Sequence, residues 1–239
     1  MKIILATNSK NKVREMKEIL EGINGIDEIL TMREIGFTED INESGYAYRS
    51  NAMIKAITVK EFVDKHIQNP SDYIILGDDS GFEIKALGGA PGIYSHRFLG
   101  EETDQNIKNQ KIVDLFKNLP SDVSRDARYV CYICILFNKH NAVQEVSFMY
   151  GYVGDEVDKD GKNGFGYDPI FYVNGVSCAS MDHETKLELS HRYKALKAIR
   201  QNIESIISIN GIEPGPDYDF DTAGEICNSW EVYKNGQDK

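Results

Sequence analysis

Two adjacent carboxylates, Asp78 and Asp79, follow the apolar run Tyr73–Leu76 and precede Gly81, Gly88, Gly89, Pro91 and Gly92. A strand that ends in acids and opens into a glycine-rich turn sets carboxylates at a sheet edge, within reach of a metal ion or a phosphate. Asp in a turn can equally serve its own backbone, but tight turns rarely need so many glycines. Three further stretches carry complementary chemistry. In Thr7-Asn8-Ser9-Lys10-Asn11-Lys12 a polar turn opens a helix and offers an anion free backbone N–H groups, a positive dipole end and the Lys12 charge. The alternative there is an ordinary capped helix start with a solvated lysine, and the glycine spacing of a Walker loop is absent. In Asp160–Phe171, either Phe165 and Tyr167 stack on a planar base while Asp168 accepts a hydrogen bond from its edge, or the stretch is a glycine-aromatic hairpin tip. His191 and Arg192 follow Ser190, the N-cap of a helix, and cations in a first turn oppose the helix dipole, which suggests an anion or polar ligand there.

Hydrophobic periodicity supplies the elements that must position these groups. Lys2–Ala6 reads as a strand, followed by a helix with Val13, Met16 and Leu20 on one face, closed by Gly22 and Gly25. A second short strand and turn fall within Ile26–Ile35. The polar turn Ile41–Gly45 holds Glu43 and leads into a helix from about Tyr46 to Lys65. Glu43 matters only if the fold brings it to Asp79. Tyr73–Leu76 is the strand that delivers the acids, Phe82–Leu87 continues as strand or turn, and Gly88–Gly92 is an irregular loop. A helix from about Asp104 to Lys117 stops before Pro120. Arg128–Phe137, apolar on both faces, is a central strand that pairs as a hairpin with Ala142–Val153. The last helix carries the stripe Leu196, Ile199, Ile203, Ile206 and Ile207.

At 239 residues and 41% hydrophobic content the chain can bury a sizeable core, as one domain or two closely packed lobes. A formal charge of −11 argues against nucleic-acid binding through a basic surface, while a local cluster of cations can still hold a small anion. The N-terminal apolar run is too short for a signal peptide and no apolar run spans a membrane, so the expected place is the cytoplasm. Cys131 and Cys134 form a C-x-x-C inside an apolar run without a second pair at metal spacing, which predicts buried thiols. From Gly211 onward the composition turns acidic and breaker-rich, with Trp230, Val232 and Tyr233 near the end. Residues 1–207 therefore read as the folded domain, which the resemblance below makes catalytic, and 208–239 as an acidic C-terminal extension whose aromatics could dock it.

Taken together, the chain resembles the inosine triphosphate pyrophosphatase (ITPase) family. The resemblance rests on Ala6–Lys12 with Glu15, Glu43-Ser44-Gly45 with Asn51-Ala52 and Lys55-Ala56, Asp78–Gly81 through Leu87–Ser95, Gly164–Phe171, and Lys186 with Ser190-His191-Arg192. It implies an α/β fold of two lobes, ITPase-like and related to the anticodon-binding-like and Maf-like folds, with a mixed curved sheet, a central cleft and a homodimer. It also implies Mg²⁺-dependent hydrolysis of a purine nucleoside triphosphate between the α and β phosphates. Carried over position by position, Glu43 and Asp79 match the metal acids and Asp79 the base. Thr7, Asn8, Lys12 and Ser80 match triphosphate contacts, and Phe165, Gly166, Tyr167, Asp168, Lys186, His191 and Arg192 the remaining nucleotide contacts.

On this reading Lys12 and Lys186 offset phosphate charge, and donors from His191 or Arg192 favour a base with a carbonyl at position 6 over adenine. Two alternatives stand beside it: a related pyrophosphatase for other modified nucleotides, and a nucleotide-binding regulator without turnover.

Overall fold

Ile3, Ile4 and Leu5 are all fully buried, so the first strand, β1 (Lys2–Ala6), is covered on both faces, as parallel strands are. A computed structural model describes residues 1–138 and 141–208. After β1 come α1 (Lys10–Leu20), β2 (Glu28–Thr31), α2 (Tyr48–His66), β3 (Tyr73–Ile84), β4 (Pro91–Gly92) and α3 (Gln105–Lys117). The hairpin β5 (Asp126–Leu136) and β6 (Ala142–Val153) follows, then β7 (Phe171–Val173), β8 (Val176–Ser177), α4 (His183–Leu189) and α5 (His191–Ser208). One mixed, open sheet of eight strands runs β2-β1-β3-β5-β6-β7-β8, with β4 attached to β3. The α/β expectation is met. The expected extension lies outside the described residues apart from Ser208, and so do Cys227 and the tail aromatics.

The sheet changes character along β3. Its first part pairs parallel with β1, from Lys2↔Tyr73 to Ala6↔Gly77, and β1 pairs parallel with β2. Its other edge pairs antiparallel with β5 from Ile75↔Leu136 to Ile84↔Ala127. This corrects the expectation that the acids end a strand and open a turn. The long β5 partner keeps β3 extended through Gly77-Asp78-Asp79-Ser80-Gly81, and it is β1 that stops, opposite Gly77. Asp78 and Asp79 thus stand where one neighbour of β3 has ended, at the carboxyl end of a parallel strand, the usual place for a ligand in an α/β sheet.

Two helical layers meet at this point. On one face α1 and α5 pack Met16, Leu20, Leu196, Ile199 and Ile203 against Ile3, Leu5, Ile74 and Leu76. On the other face α2 packs Ala52, Ala56, Val59 and Val63 against Ile4, Ile75 and Leu136. The fit of α2 is tight at Gly77, where a Cβ would stand 2.2 Å from the Ala52 carbonyl oxygen and 2.9 Å from the Ala56 nitrogen. Only glycine permits that approach, and it lays the N-terminal half of α2 over the acids. The far half of the sheet has its own core of Phe82, Ile112, Met149, Val153, Ile170 and Phe171. As expected, Cys131 and Cys134 are buried, and burial pushes both thiols up to about 12. Among the described residues no helix is long and apolar enough to cross a membrane.

Candidate active site

Successive side chains of a strand point to opposite faces, and that alternation gives the two acids different partners. Asp78 is fully buried and pairs with Lys12 from α1 at 2.7 Å. Burial alone would raise its carboxyl, but Lys12, Lys55 and Arg192 outweigh burial and hold it below the usual carboxylate range. Asp79, 7% exposed, faces α2 and accepts a hydrogen bond from Asn51 Nδ2 at 3.0 Å. Burial raises its carboxyl; Lys55, Lys12 and the Asn51 bond oppose this without cancelling it, and the Glu43 charge adds to the rise. Two neighbouring acids are therefore driven apart, one kept ionised and the other readied to take a proton, the pattern of an acid/base site. The Lys12 ammonium is held by Asp78, because a fully buried carboxylate requires a cation beside it.

The Lys55 ammonium lies between the remaining acids, 2.9 Å from Glu43 Oε2 and 3.7 Å from Asp79 Oδ1, and donates to the Asp78 carbonyl at 2.9 Å. Glu43 is brought to Asp79 by Asn51, whose Oδ1 accepts from the Gly45 backbone N–H at 2.9 Å while its Nδ2 holds Asp79. Gly45 is required there, since a Cβ would lie 2.6 Å from that Asn51 oxygen. Among the described residues no group of three or more His, Cys, Asp or Glu side chains gathers tightly enough to hold a metal alone. The donor set does fit a hard ion. Glu43 and Asp79 offer only oxygen and already flank a cation, and Asp78 Oδ1 has no hydrogen-bond partner among the described residues. An ion held by two carboxylates that completes its shell with water and phosphate oxygens matches the habit of Mg²⁺.

Thr7 and Asn8 follow the end of β1; Thr7 Oγ1 accepts from the Ser9 N–H at 3.3 Å, and Asn8 is exposed. Ser80 lies beyond Asp79, with its hydroxyl 3.4 Å from an Arg192 nitrogen. Arg192 is buried and paired with Glu15 of α1. His191, one residue earlier, faces the other way: its ring stacks on Tyr129 at 4.9 Å with an 8° tilt. Neighbours on a helix diverge by about 100°, so the two residues are divided, with Arg192 on the side of the acids. Nor do they form a doubled cation. Burial, reinforced by Arg192, Lys12, Lys194 and Lys186, lowers His191 well below its usual range, so it is neutral.

The second group gathers around His191. Phe165 is 39% exposed on the loop after β6. Tyr167, expected to stack on a base, is instead 4% exposed, its ring on Phe82 at 5.0 Å and its hydroxyl donating to the Ser95 carbonyl at 2.7 Å. That bond helps explain the glycine-rich stretch after the acids: Ser95 Oγ accepts the Phe82 N–H of β3 at 2.8 Å and donates to Gly92 at 2.6 Å, clamping the loop to the sheet. Gly166, by contrast, presents its carbonyl to Asn109 Nδ2 at 3.0 Å. Lys186 lies within α4, a helix the sequence reading did not anticipate, capped by Asp182, which accepts from the Thr185 N–H. Its ammonium is 2.7 Å from Asp168 Oδ2, donates to the Asn163 carbonyl at 2.9 Å and sits 5.3 Å above the Phe165 ring. It therefore belongs with the aromatic loop and not with the acids.

The family model described as the Ham1 family matches residues 3–202. The chain belongs to the Ham1 family. It is 36% identical over 204 residues to the dITP/XTP pyrophosphatase of Bacillus subtilis, covering 84% of this chain and 96% of that protein. The corresponding enzyme of Clostridium tetani is 34% identical over 207 residues, with 86% and 97% covered. Among solved structures, a HAM1 protein from Coxiella burnetii superposes with a TM-score of 0.74 at 31% identity, covering 86% of this chain and 99% of that one.

Within this Ham1 family chain the sequence reading passed over Lys55, Asn51 and Glu15 as functional groups, although all three stand in the matching stretches. The signal was present: Asn51 and Lys55 are spaced i, i+4 and share one helical face, opposite an acid pair that needed a cation. The neutral His191 has a measurable consequence. The unfolded chain protonates it near its ordinary value of 6.5 while the native protein resists, so more protons are bound unfolded and stability falls as pH drops below about 6.5. His191→Gln should flatten the stability curve between pH 6.5 and 5 by up to about 1.4 kcal/mol per pH unit. Chemical denaturation at several pH values measures it, and parallel curves for the two proteins would exclude a buried neutral imidazole.

Proposed function

We propose that the chain hydrolyses non-standard purine nucleoside triphosphates, ITP, dITP and XTP, to the nucleoside monophosphate and pyrophosphate. The observation that carries this reading is the paired environment of Asp78 and Asp79, one acid held ionised among Lys12, Lys55 and Arg192 and the other raised beside Asn51 and Glu43. Relatives that share about a third of its residues are dITP/XTP pyrophosphatases, and a cluster of cations around buried acids suits a polyphosphate.

Asp79 is the group to accept the proton of the attacking water, since a raised carboxyl is a better base near neutral pH. The oxygen attacks the α-phosphorus in line, and the bond to the bridging oxygen of the β-phosphate breaks, so that pyrophosphate leaves. Mg²⁺ would be held by Glu43 and Asp79, where it supplies positive charge to the phosphate oxygens. Arg192, fixed by Glu15, and Lys12, fixed by Asp78, face the same charge, while Thr7, Asn8 and Ser80 offer hydrogen-bonding groups beside them. Phe165 offers an exposed ring to the base, with Gly166, Asp168, Lys186 and His191 around it. A carbonyl at position 6 of the base accepts a hydrogen bond from a neutral His191, which an adenine amino group cannot do.

The assembly we propose is a homodimer in the cytoplasm, where triphosphate pools are made. On the outer face of β5 and β6, Val146 is 40% and Tyr152 37% exposed, Phe148 stacks on Tyr150 at 5.8 Å, and Arg128 lies 4.7 Å over Phe148. An aromatic face of this kind suits a second copy. The deciding experiment is pyrophosphate release from ITP, XTP, GTP, ATP and a pyrimidine triphosphate, with and without Mg²⁺, on a preparation sized by sedimentation. ITP and XTP should turn over, only with Mg²⁺, in a particle of twice the 27.0 kDa chain. Equal rates on ATP would sink the substrate assignment, and a monomer the assembly.

A further inference from the structure

Tyr129 lies in β5, the strand that sequence reads as central and apolar on both faces, and nothing in the chemistry above uses it. Its side chain touches both Asp168 and His191. Its hydroxyl donates to Asp168 Oδ1 at 3.0 Å, and its ring lies parallel to the His191 imidazole at 4.9 Å. Phe171 packs edge-on to the same ring at 4.9 Å and Phe82 tilts against it at 5.1 Å, so the ring is held from three sides.

The arrangement at Asp168 gives the hydroxyl its importance. The carboxylate is 4% exposed. Its Oδ2 accepts from the Phe165 backbone N–H at 2.9 Å and from Lys186 at 2.7 Å, and its Oδ1 from Tyr129. A carboxylate offers about four lone-pair positions, so the protein fills three and leaves roughly one, on the oxygen that Tyr129 holds. His191 is similarly placed: its Nδ1 is buried without a hydrogen-bond partner among the described residues, and the parallel Tyr129 ring restricts the plane in which that nitrogen can point. A buried acceptor position and a buried imidazole nitrogen, each oriented by the same side chain, form a two-point template for a hydrogen-bonding base edge.

We propose that Tyr129 is a positioning residue for base selection: it fixes the remaining acceptor of Asp168 and the plane of His191 so that both meet the edge of one purine. The inference rests on the reading of Asp168 and His191 as nucleotide contacts. It makes Tyr129 a determinant of which base binds and leaves the reaction at the α-phosphorus to Glu43 and Asp79.

Tyr129→Phe keeps the ring and the packing and removes only the hydroxyl. Thermal melting of the full chain verifies that the variant folds, and steady-state pyrophosphate release is then measured for ITP and ATP. The expected result is a KM for ITP raised about tenfold, the scale of one hydrogen bond to a charged group, with kcat within about twofold and a reduced preference for ITP over ATP. A double-mutant cycle with Asp168→Ala, read by equilibrium binding of ITP in the presence of Ca²⁺, should show the Tyr129→Phe effect largely absent when Asp168 is gone. If wild-type protein hydrolyses ITP and Tyr129→Phe matches it in KM and base preference, the Tyr129 assignment alone falls. A drop in kcat at unchanged KM, or full additivity with Asp168→Ala, overturns it as well. If wild-type protein neither binds nor hydrolyses ITP, the site reading and this inference fall together.

Discussion

Asp79→Asn should abolish most turnover without loss of stability. The substitution keeps the shape and an oxygen for the Asn51 bond, gives up the bond that Oδ1 accepts from the Ser80 N–H at 2.9 Å and removes the proton acceptor; losing a positioned general base costs about 10²–10⁴-fold in rate. Stability should move the other way or stay level. Burial raises the Asp79 carboxyl even against Lys55, Lys12 and Asn51, which means that the ionised form is disfavoured in the folded protein. A neutral amide relieves that cost, while Lys55 keeps Glu43 at 2.9 Å and the Asp78 carbonyl at 2.9 Å. Opposite signs for activity and stability are the mark of a site built against its own stability. Pyrophosphate release from ITP at saturating Mg²⁺, with a thermal melt of the same sample, checks both. Near-normal turnover would remove Asp79 from the mechanism.

Lys55→Met carries the second large effect, and its dependence on pH is distinctive. Methionine fills the space and deletes the charge that lies between Glu43 and Asp79. Stripping the cation from a buried carboxylate costs about 3–5 kcal/mol if the acid stays ionised. Asp79 can avoid part of this cost by taking up a proton, because its folded pKa, already above the ordinary 3.8, rises further without Lys55. With the folded value raised, the native state binds more protons than the unfolded state above pH 3.8, and stability falls as pH increases. The deficit of the variant relative to wild type should therefore be small near pH 4 and reach its full size at neutral pH. Turnover should drop by about 10²-fold or more, since the lost charge holds Glu43 and Asp79 in place. Urea unfolding at pH 4, 5.5 and 7 reads the stability part, and a deficit that does not change with pH would refute the role assigned to Lys55.

Much of the chain was legible before any coordinates. The strand, helix and hairpin boundaries around Lys2–Ala6, Gln105–Lys117 and Ala142–Val153 follow from periodicity and stop signals, because burial of one face imposes its period on the sequence. The buried thiols were legible for the same reason. The α4 helix was not: at seven residues it is too short to establish an apolar period, and its start is signalled only by the Asp182 cap.

Residue types and their spacing were enough to assemble the acids, the cations and the aromatic loop into one family pattern. Which groups meet was decided by tertiary structure alone. Asp78 and Asp79 are alike in sequence; the alternation of β3 between a layer of α1 and α5 and a layer of α2 gives one the Lys12 partner and the other Asn51 and Lys55. His191 and Arg192 are neighbours in the chain, yet the turn of α5 sends one to Tyr129 and the other to Glu15. The physical reason is common to both cases. Charge and hydrogen-bonding capacity belong to a residue, but desolvation and partners belong to a position, and Lys55 and Tyr129 come to the site from a helix and a strand far away in sequence.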